Sequence, residues 1–207
     1  CSYNLHEFVT NKNIDKYGLG DKEVLLHATS GLLYLHDLRI IHRDIKPHNI
    51  LITKPDARGL ARALISDFGL CKKLPRDKTA LTNHGSSMAG TCGWIAPEVF
   101  EGTHPLTFSS DIFSLGCIFF FLLSFGIHPF GDELNRQYNI QSQNLNLTSI
   151  TDKISKNEAT DLISRMVDHD PKNRPTSKQV LGHLFFWNLK KRSQFLQVPD
   201  CFILHFF

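Results

Sequence analysis

The chain has 207 residues, 42% apolar and 21% charged, with 23 Lys plus Arg against 20 Asp plus Glu for a formal net charge of +3. That composition suits one packed domain and argues against a disordered, collagenous or nucleic-acid-coating protein. So small a net charge sets up no field that demands a polyanionic partner.

Cysteines Cys1, Cys71, Cys92, Cys117 and Cys201 are odd in number, widely spaced and never in a C-x-x-C pair. This argues against a disulfide framework or zinc ribbon and for a reducing compartment. Residues Cys1 to Val9 show no signal-peptide pattern, and the sequon Asn146-Leu147-Thr148 reads as chance.

In chain order, Val24, Leu25, Ala28, Leu32, Leu33 and Leu35 recur at spacings of three and four, which predicts an amphipathic helix over 23–36, ending before Ile40 and Ile41. Two short apolar runs, Asn49 to Thr53 and Ala63 to Ser66, flank the turn-rich Lys54 to Gly59 and predict a small hairpin. Gly69 to Gly93 is polar and hydroxyl-rich, a long loop of the kind that is usually functional or a linker. Helices resume over 110–125, 160–168 and 177–181, with loops rich in Gly, Pro, Asn and Ser between them. The first of these includes the most apolar run, Ile112 to Phe125, which is too short to cross a bilayer and reads as a buried core helix.

Three motifs carry chemistry. His42-Arg43-Asp44-Ile45-Lys46-Pro47-His48-Asn49 has the H-R-D-x-x-x-x-N spacing of a phosphoryl-transfer loop. Asp44 is placed to accept a hydroxyl proton, Lys46 to neutralise the transferring phosphoryl group, and Asn49 to offer a neutral oxygen to Mg²⁺. Asp67-Phe68-Gly69 follows the apolar Leu64-Ile65-Ser66. Asp67 supplies the hard oxygen that Mg²⁺ prefers, while Phe68 is expected to pack and Gly69 to turn. Gly90 to Glu98 ends in Ala96-Pro97-Glu98, which closes the polar loop. Phosphate on Thr79, Thr82, Ser86 or Ser87, with Ser86 the first choice, would add charge for Arg43 or a nearby lysine to pair.

In this order, the motifs resemble the C-terminal, larger lobe of a eukaryotic protein kinase. The likeness continues in Asp111 to Cys117, which is similar to the D-x-W-S-x-G-C start of a buried central helix, with Phe113 in place of Trp. It extends to His128-Pro129-Phe130-Gly131 and to Arg174. It implies a mainly α, kinase-like fold with a small β-hairpin, C-terminal lobe only. It further implies that Asp111 accepts hydrogen bonds from the catalytic-loop backbone, that Arg174 pairs with Glu98, and that His42 packs and hydrogen-bonds within the loop. Lys46 points to the serine/threonine branch.

The runs His42 to Leu51, Ile65 to Lys73, Gly93 to Glu98 and His183 to Leu189 resemble the inositol-requiring stress-sensor kinase/endoribonuclease family of the unfolded protein response. That likeness implies ATP and Mg²⁺ as cofactors, the backbone of Cys1 beside the adenine, a protein substrate or self as phosphoacceptor, and a homodimer. RNA is implied as a partner only through a ribonuclease domain outside this chain. It also implies a parent at the cytosolic face of the endoplasmic reticulum, with this segment itself soluble, cytoplasmic and without membrane contact.

Residues 1–187 are then expected to run from hinge to last helix, and 188–207 to begin the joining segment, closing on an atypical apolar tail. No Gly-rich phosphate loop or β3 lysine precedes His42, so the chain alone is expected to transfer phosphate poorly. The alternative reading is a pseudokinase-like interaction or dimerisation module.

Overall fold

The computed structural model describes residues 3–81, 89–102, 104–150 and 156–196. Cys1, Thr82, Ser86, Ser87 and the apolar tail lie outside the described residues.

Strand β1 (Tyr3–Asn4) leads directly into helix α1 (Leu5–Thr10). Asn4 caps that helix by accepting from the Glu7 backbone N–H at 3.0 Å, while the Glu7 carboxylate accepts from the Asn4 N–H at 2.9 Å. This reciprocal box satisfies two donors that a helix start leaves orphaned. Helix α2 (Asp21–Asp37) starts with half of such a box: Glu23 accepts from the Gly20 N–H at 3.1 Å, and Gly20 has no side chain to return the bond. Its buried face is Val24, Leu25, Ala28, Thr29, Leu32 and Leu35, which is the stripe predicted from the spacing except that Leu33 is only half-buried and Thr29 joins it. The helix stops at Asp37, and Arg39 turns the chain with a φ of 62°.

Strand β2 (Ile40–Ile41) follows, then β3 (Ile50–Ile52) and β4 (Ala63–Ile65). The latter two form the expected antiparallel hairpin, with Ile50 opposite Ile65 and Ile52 opposite Ala63. β1 adds to its other edge, Tyr3 opposite Ile52, making three strands in the order β1-β3-β4. The long polar loop is not wholly irregular. Strand β5 (Lys72–Lys73) pairs antiparallel with β2, and Leu81 bridges to Leu106.

The remaining helices are α3 (Pro97–Glu101), α4 (Phe108–Leu123), α5 (Arg136–Gln141), α6 (Lys156–Met166), α7 (Ser177–Gly182) and α8 (Leu189–Leu196). α3, α5 and α8 were not predicted as helices from periodicity. They are only five to eight residues long, too short to show a 3.6-residue period.

α4 is the column around which the rest assembles. Every residue from Ser110 to Leu123 is buried, so it is a core helix as its composition implied. Phe125, placed in that apolar run, lies beyond the helix end and is exposed. Among the described residues no helix is long and apolar enough to cross a membrane. α2 packs against one side of α4, and α6 presents Ala159, Leu162, Ile163 and Met166 to another.

The α4–α6 contact depends on Gly116. A Cβ there would sit 2.8 Å from both Met166 Cβ and Val167 Cγ1. Replacing Gly116 with Ala overpacks this seam and should cost about 1–3 kcal/mol, read as a lower urea midpoint with an unchanged m-value. An unaltered midpoint would show that the two helices are free to separate.

Candidate active site

The loop from β2 to β3 holds the first motif, and a buried carboxylate on α4 shapes it. Asp111 is 1% exposed; its Oδ2 accepts from the His42 backbone N–H at 2.8 Å and its Oδ1 from the Arg43 N–H at 2.9 Å. Arg43 has a left-handed φ of 73°, a conformation costly for a side-chain-bearing residue unless its surroundings impose it. His36 Nε2 approaches the same Asp111 Oδ2 at 3.1 Å from the end of α2.

His42 uses both ring nitrogens internally, Nε2 on the Ser66 carbonyl at 3.0 Å and Nδ1 on the Asp44 N–H at 3.3 Å. It therefore ties the loop to the strand end carrying the second motif.

Asp44, buried at the loop's turn, is held by three side chains. Thr91 Oγ1 donates to Oδ1 at 2.7 Å, Lys46 Nζ meets Oδ2 at 2.8 Å, and Asn49 Nδ2 donates to Oδ2 at 2.9 Å. Lys46 also donates to Thr91 Oγ1 at 2.7 Å, closing a ring of contacts. Burial works against the Asp44 charge, and the bonds from Lys46, Thr91 and Asn49 overcome it, holding the carboxyl below its ordinary range.

The Asn49 carbonyl accepts both the Ser66 N–H at 2.9 Å and the Ser66 hydroxyl at 3.0 Å, so Asp67 begins where Asn49 ends its turn. Asp67 is exposed with a φ of 63°. Phe68, expected to pack, is 54% exposed; only its ring edge meets His42, with centroids 5.6 Å apart.

The third motif closes on a second buried ion pair. Arg174 reaches Glu98 with two parallel bonds of 2.8 Å, and both side chains are essentially without solvent contact. The remaining guanidinium donors go to the carbonyls of Asp168, His169 and Ser109, and the guanidinium lies over Phe113 with 5.0 Å to the ring centroid. A buried pair is tolerated when its hydrogen-bonding capacity is met in this way.

Residues 4–186 match the family model for the protein kinase domain. The chain belongs to the protein kinase family. It is 46% identical over 200 residues to the human serine/threonine-protein kinase/endoribonuclease IRE2, covering 95% of this chain and 22% of that protein. It is 42% identical over 203 residues to the Caenorhabditis elegans serine/threonine-protein kinase/endoribonuclease ire-1, covering 97% and 21%. With the Schizosaccharomyces pombe sensor for unfolded proteins in the ER, ire1, it shares 35% identity over 236 residues, covering 98% and 21%. The chain thus spans about a fifth of the length of these relatives.

Within this kinase domain the structure gathers Asp44, Lys46 and Asn49 into one network and places Ser66, just before Asp67, against Asn49. His42, Arg43 and Asp111 form its base, and Glu98 with Arg174 form a separate lock. Thr79 is exposed, apart from these groups.

Three residues escaped sequence reasoning. Thr91 bridges Asp44 and Lys46, and its place beside Gly90 in the third motif was the available signal. Gly90 has a φ of 123°, and a Cβ there would come within 2.8 Å of the Arg43 carbonyl, so only glycine lets this segment approach the loop. Gln137 on α5 accepts the Gly93 N–H at 2.7 Å, and His36 supports Asp111. Neither lies in a motif.

The donor set suits Mg²⁺. Among the described residues, Asn49 spends its amide N–H groups on Asp44 and leaves its Oδ1 available, and Asp67 Oδ1 accepts only the Gly69 N–H at a long 3.3 Å. Mg²⁺ typically takes one or two protein oxygens and fills its shell with water and phosphate.

Because the Asp44 carboxyl is depressed, its network stabilises the fold above the unfolded value of about 3.9 and loses that contribution as pH falls through the lower folded value. Thr91→Val removes one donor and should move the Asp44 titration upward, as followed by carboxyl-carbon NMR. An unchanged titration would show that Thr91 does not hold the charge.

Proposed function

We propose that this chain is the C-terminal, catalytic lobe of a serine/threonine protein kinase of the endoplasmic-reticulum stress-sensor kinase/endoribonuclease type. In this reading it transfers the γ-phosphoryl group of ATP to protein hydroxyls, those of a second copy among them. The observation that carries the proposal is the intact network of Asp44 with Lys46, Asn49 and Thr91. An interaction module without catalysis has no need of a buried carboxylate wired to three partners.

The chemistry follows from the atoms. Asp44 Oδ1 accepts one bond from Thr91 and keeps a lone pair for the acceptor hydroxyl, which it aims and from which it takes the proton as transfer completes. Lys46 spends donors on Asp44 and Thr91 and has one left for an oxygen of the moving phosphoryl group. Thr91 sits on the segment that leads to Ala96-Pro97-Glu98, so an acceptor residue lying along that segment meets Asp44 directly. Bound Mg²⁺-ATP supplies the phosphoryl group and neutralises its developing charge. Asn49 and Asp67 would hold the metal, and the backbone of Cys1 would flank the adenine.

In the same reading, residues 1–187 form the lobe and 188–207 begin the segment toward a ribonuclease domain, through which alone RNA would be engaged. The parent would present this lobe at the cytosolic face of the endoplasmic reticulum and phosphorylate itself within a homodimer. Arg43 supports control by phosphate on Thr79, Thr82, Ser86 or Ser87, because among the described residues its buried Nε has no hydrogen-bond partner.

The 207-residue chain in Mg²⁺-ATP should phosphorylate itself slowly. Joining it to a kinase small lobe that carries a Gly-rich loop and lysine should raise that rate. Asp44→Asn in the joined protein should lower it at least about 10²-fold. Transfer that persists in Asp44→Asn, measured with labelled ATP, would sink the proposal.

A further inference from the structure

A cavity outside the Asp44 network is lined by His36, the residue that bonds Asp111. Its volume is about 340 Å³, within the range of small-molecule sites, and it opens between the end of α2, the start of α4 and the start of α7. Leu33, Phe108, Ile112 and Pro175 make an apolar interior. Two opposite charges stand at its mouth: Asp37 on α2 and Lys178 on α7, both exposed. Among the described residues neither enters an ion pair.

One wall is the His36 ring, packed on Phe108 with centroids 4.7 Å apart. Its Nδ1 lies 3.3 Å from Ser177 Oγ on α7 and its Nε2 lies 3.1 Å from Asp111 Oδ2. Arg174, which holds Glu98, lines the same cavity. The cavity therefore meets one buried anchor, Arg174, directly and the other, Asp111, through His36, and Asp44 is not in its lining.

We propose that this cavity is a binding site for a free aromatic amino acid or a close zwitterionic analogue, and that its occupancy is felt at the catalytic loop through His36 and Asp111. The chemistry selects that class. The apolar interior takes a ring, Lys178 pairs with the carboxylate, and Asp37 pairs with the ammonium. A molecule with one charge meets attraction from one rim residue and repulsion from the other, whereas a zwitterion meets two attractions. The occupant's ring lies against Phe108 and His36, so seating it shifts the imidazole that bonds Asp111, and with it the His42 and Arg43 amides. Binding depends on residues outside the Asp44 network, so it stands or falls separately from phosphoryl transfer.

The probes are tryptophan, tryptamine, which lacks the carboxylate, and indole-3-propionate, which lacks the ammonium. Each is titrated into the isotope-labelled 207-residue protein while backbone amides are followed by NMR. Tryptophan should bind about two- to fivefold more tightly than either analogue, as expected of exposed charge pairs. Lys178→Gln should abolish its advantage over tryptamine, and Asp37→Asn its advantage over indole-3-propionate. Both substitutions are at exposed positions, so the fold should survive. Amides of Leu33, Ile112, His42 and Arg43 should shift together. Equal affinity of the three probes, indifference to both substitutions, or binding that leaves His42 and Arg43 unmoved would overturn the proposal.

Discussion

The loop from His42 to Asn49 has its shape because one carboxylate, Asp111, accepts two successive backbone N–H groups from it. A carboxylate with 1% exposure is tolerable only with its acceptors filled, and the loop supplies the donors at His42 and Arg43. Asp111 lies in the first turn of α4, where the helix dipole also favours a negative charge. The constraint is reciprocal: the loop satisfies the buried charge, and the charge holds Arg43 in a left-handed conformation. That kink turns Asp44 inward onto Lys46, Asn49 and Thr91. Because α4 is buried along almost its whole length, this geometry is referenced to a core element.

The Glu98–Arg174 pair serves the other half of the site on the same physical terms. Truncating either partner would strand a desolvated charge, a loss of about 3–5 kcal/mol, whereas the intact pair adds little to net stability. Its value is positional. It fixes the start of α3 against the segment before α7, and so fixes the end of the stretch that delivers Thr91. Asp111 and Arg174 both bond next to the first turn of α4, the latter through the Ser109 carbonyl. Loop and segment are thus referenced to one helix end, which allows the 2.7 Å contact between Thr91 and Asp44 to form between residues 47 positions apart.

Much of this was legible in the chain because it is local. The motif from His42 to Asn49 works through fixed short spacings, the stripe of α2 is long enough to show its period, and α4 declares itself as a continuous apolar run. The hairpin of β3 and β4 was legible for the same reason, since its turn residues lie between its strands. The pairing of Glu98 with Arg174 and of Asp111 with the loop backbone came from family likeness, for no local spacing reveals a contact across 76 or 69 positions. What stayed hidden was both distant and motif-free. β1 joins β3 across nearly fifty residues, β5 interrupts a loop whose composition is polar, and α5 is only six residues long. His36 looked like one more polar position near a helix end, and only the fold shows it bonded to Asp111. Phe68 looked like core by its type, but packing depends on what surrounds a residue, and here its ring meets His42 edge-on and is 54% exposed.

The charge arrangement around Asp44 also bears on how such a site can be stable before it binds anything. A lone buried carboxylate beside a lone lysine would each incur a desolvation cost and would tend to neutralise by shifting protonation. Here Thr91 donates to one and accepts from the other, so the acid, the cation and the hydroxyl satisfy each other in a ring. In the proposed reaction an incoming acceptor hydroxyl would add a bond to an existing network instead of desolvating a bare charge, and the groups, already oriented, would need little reorganisation at the moment of transfer. The same ring makes Thr91, which carries no charge and titrates nothing, as firm a member of this network as the acid it faces.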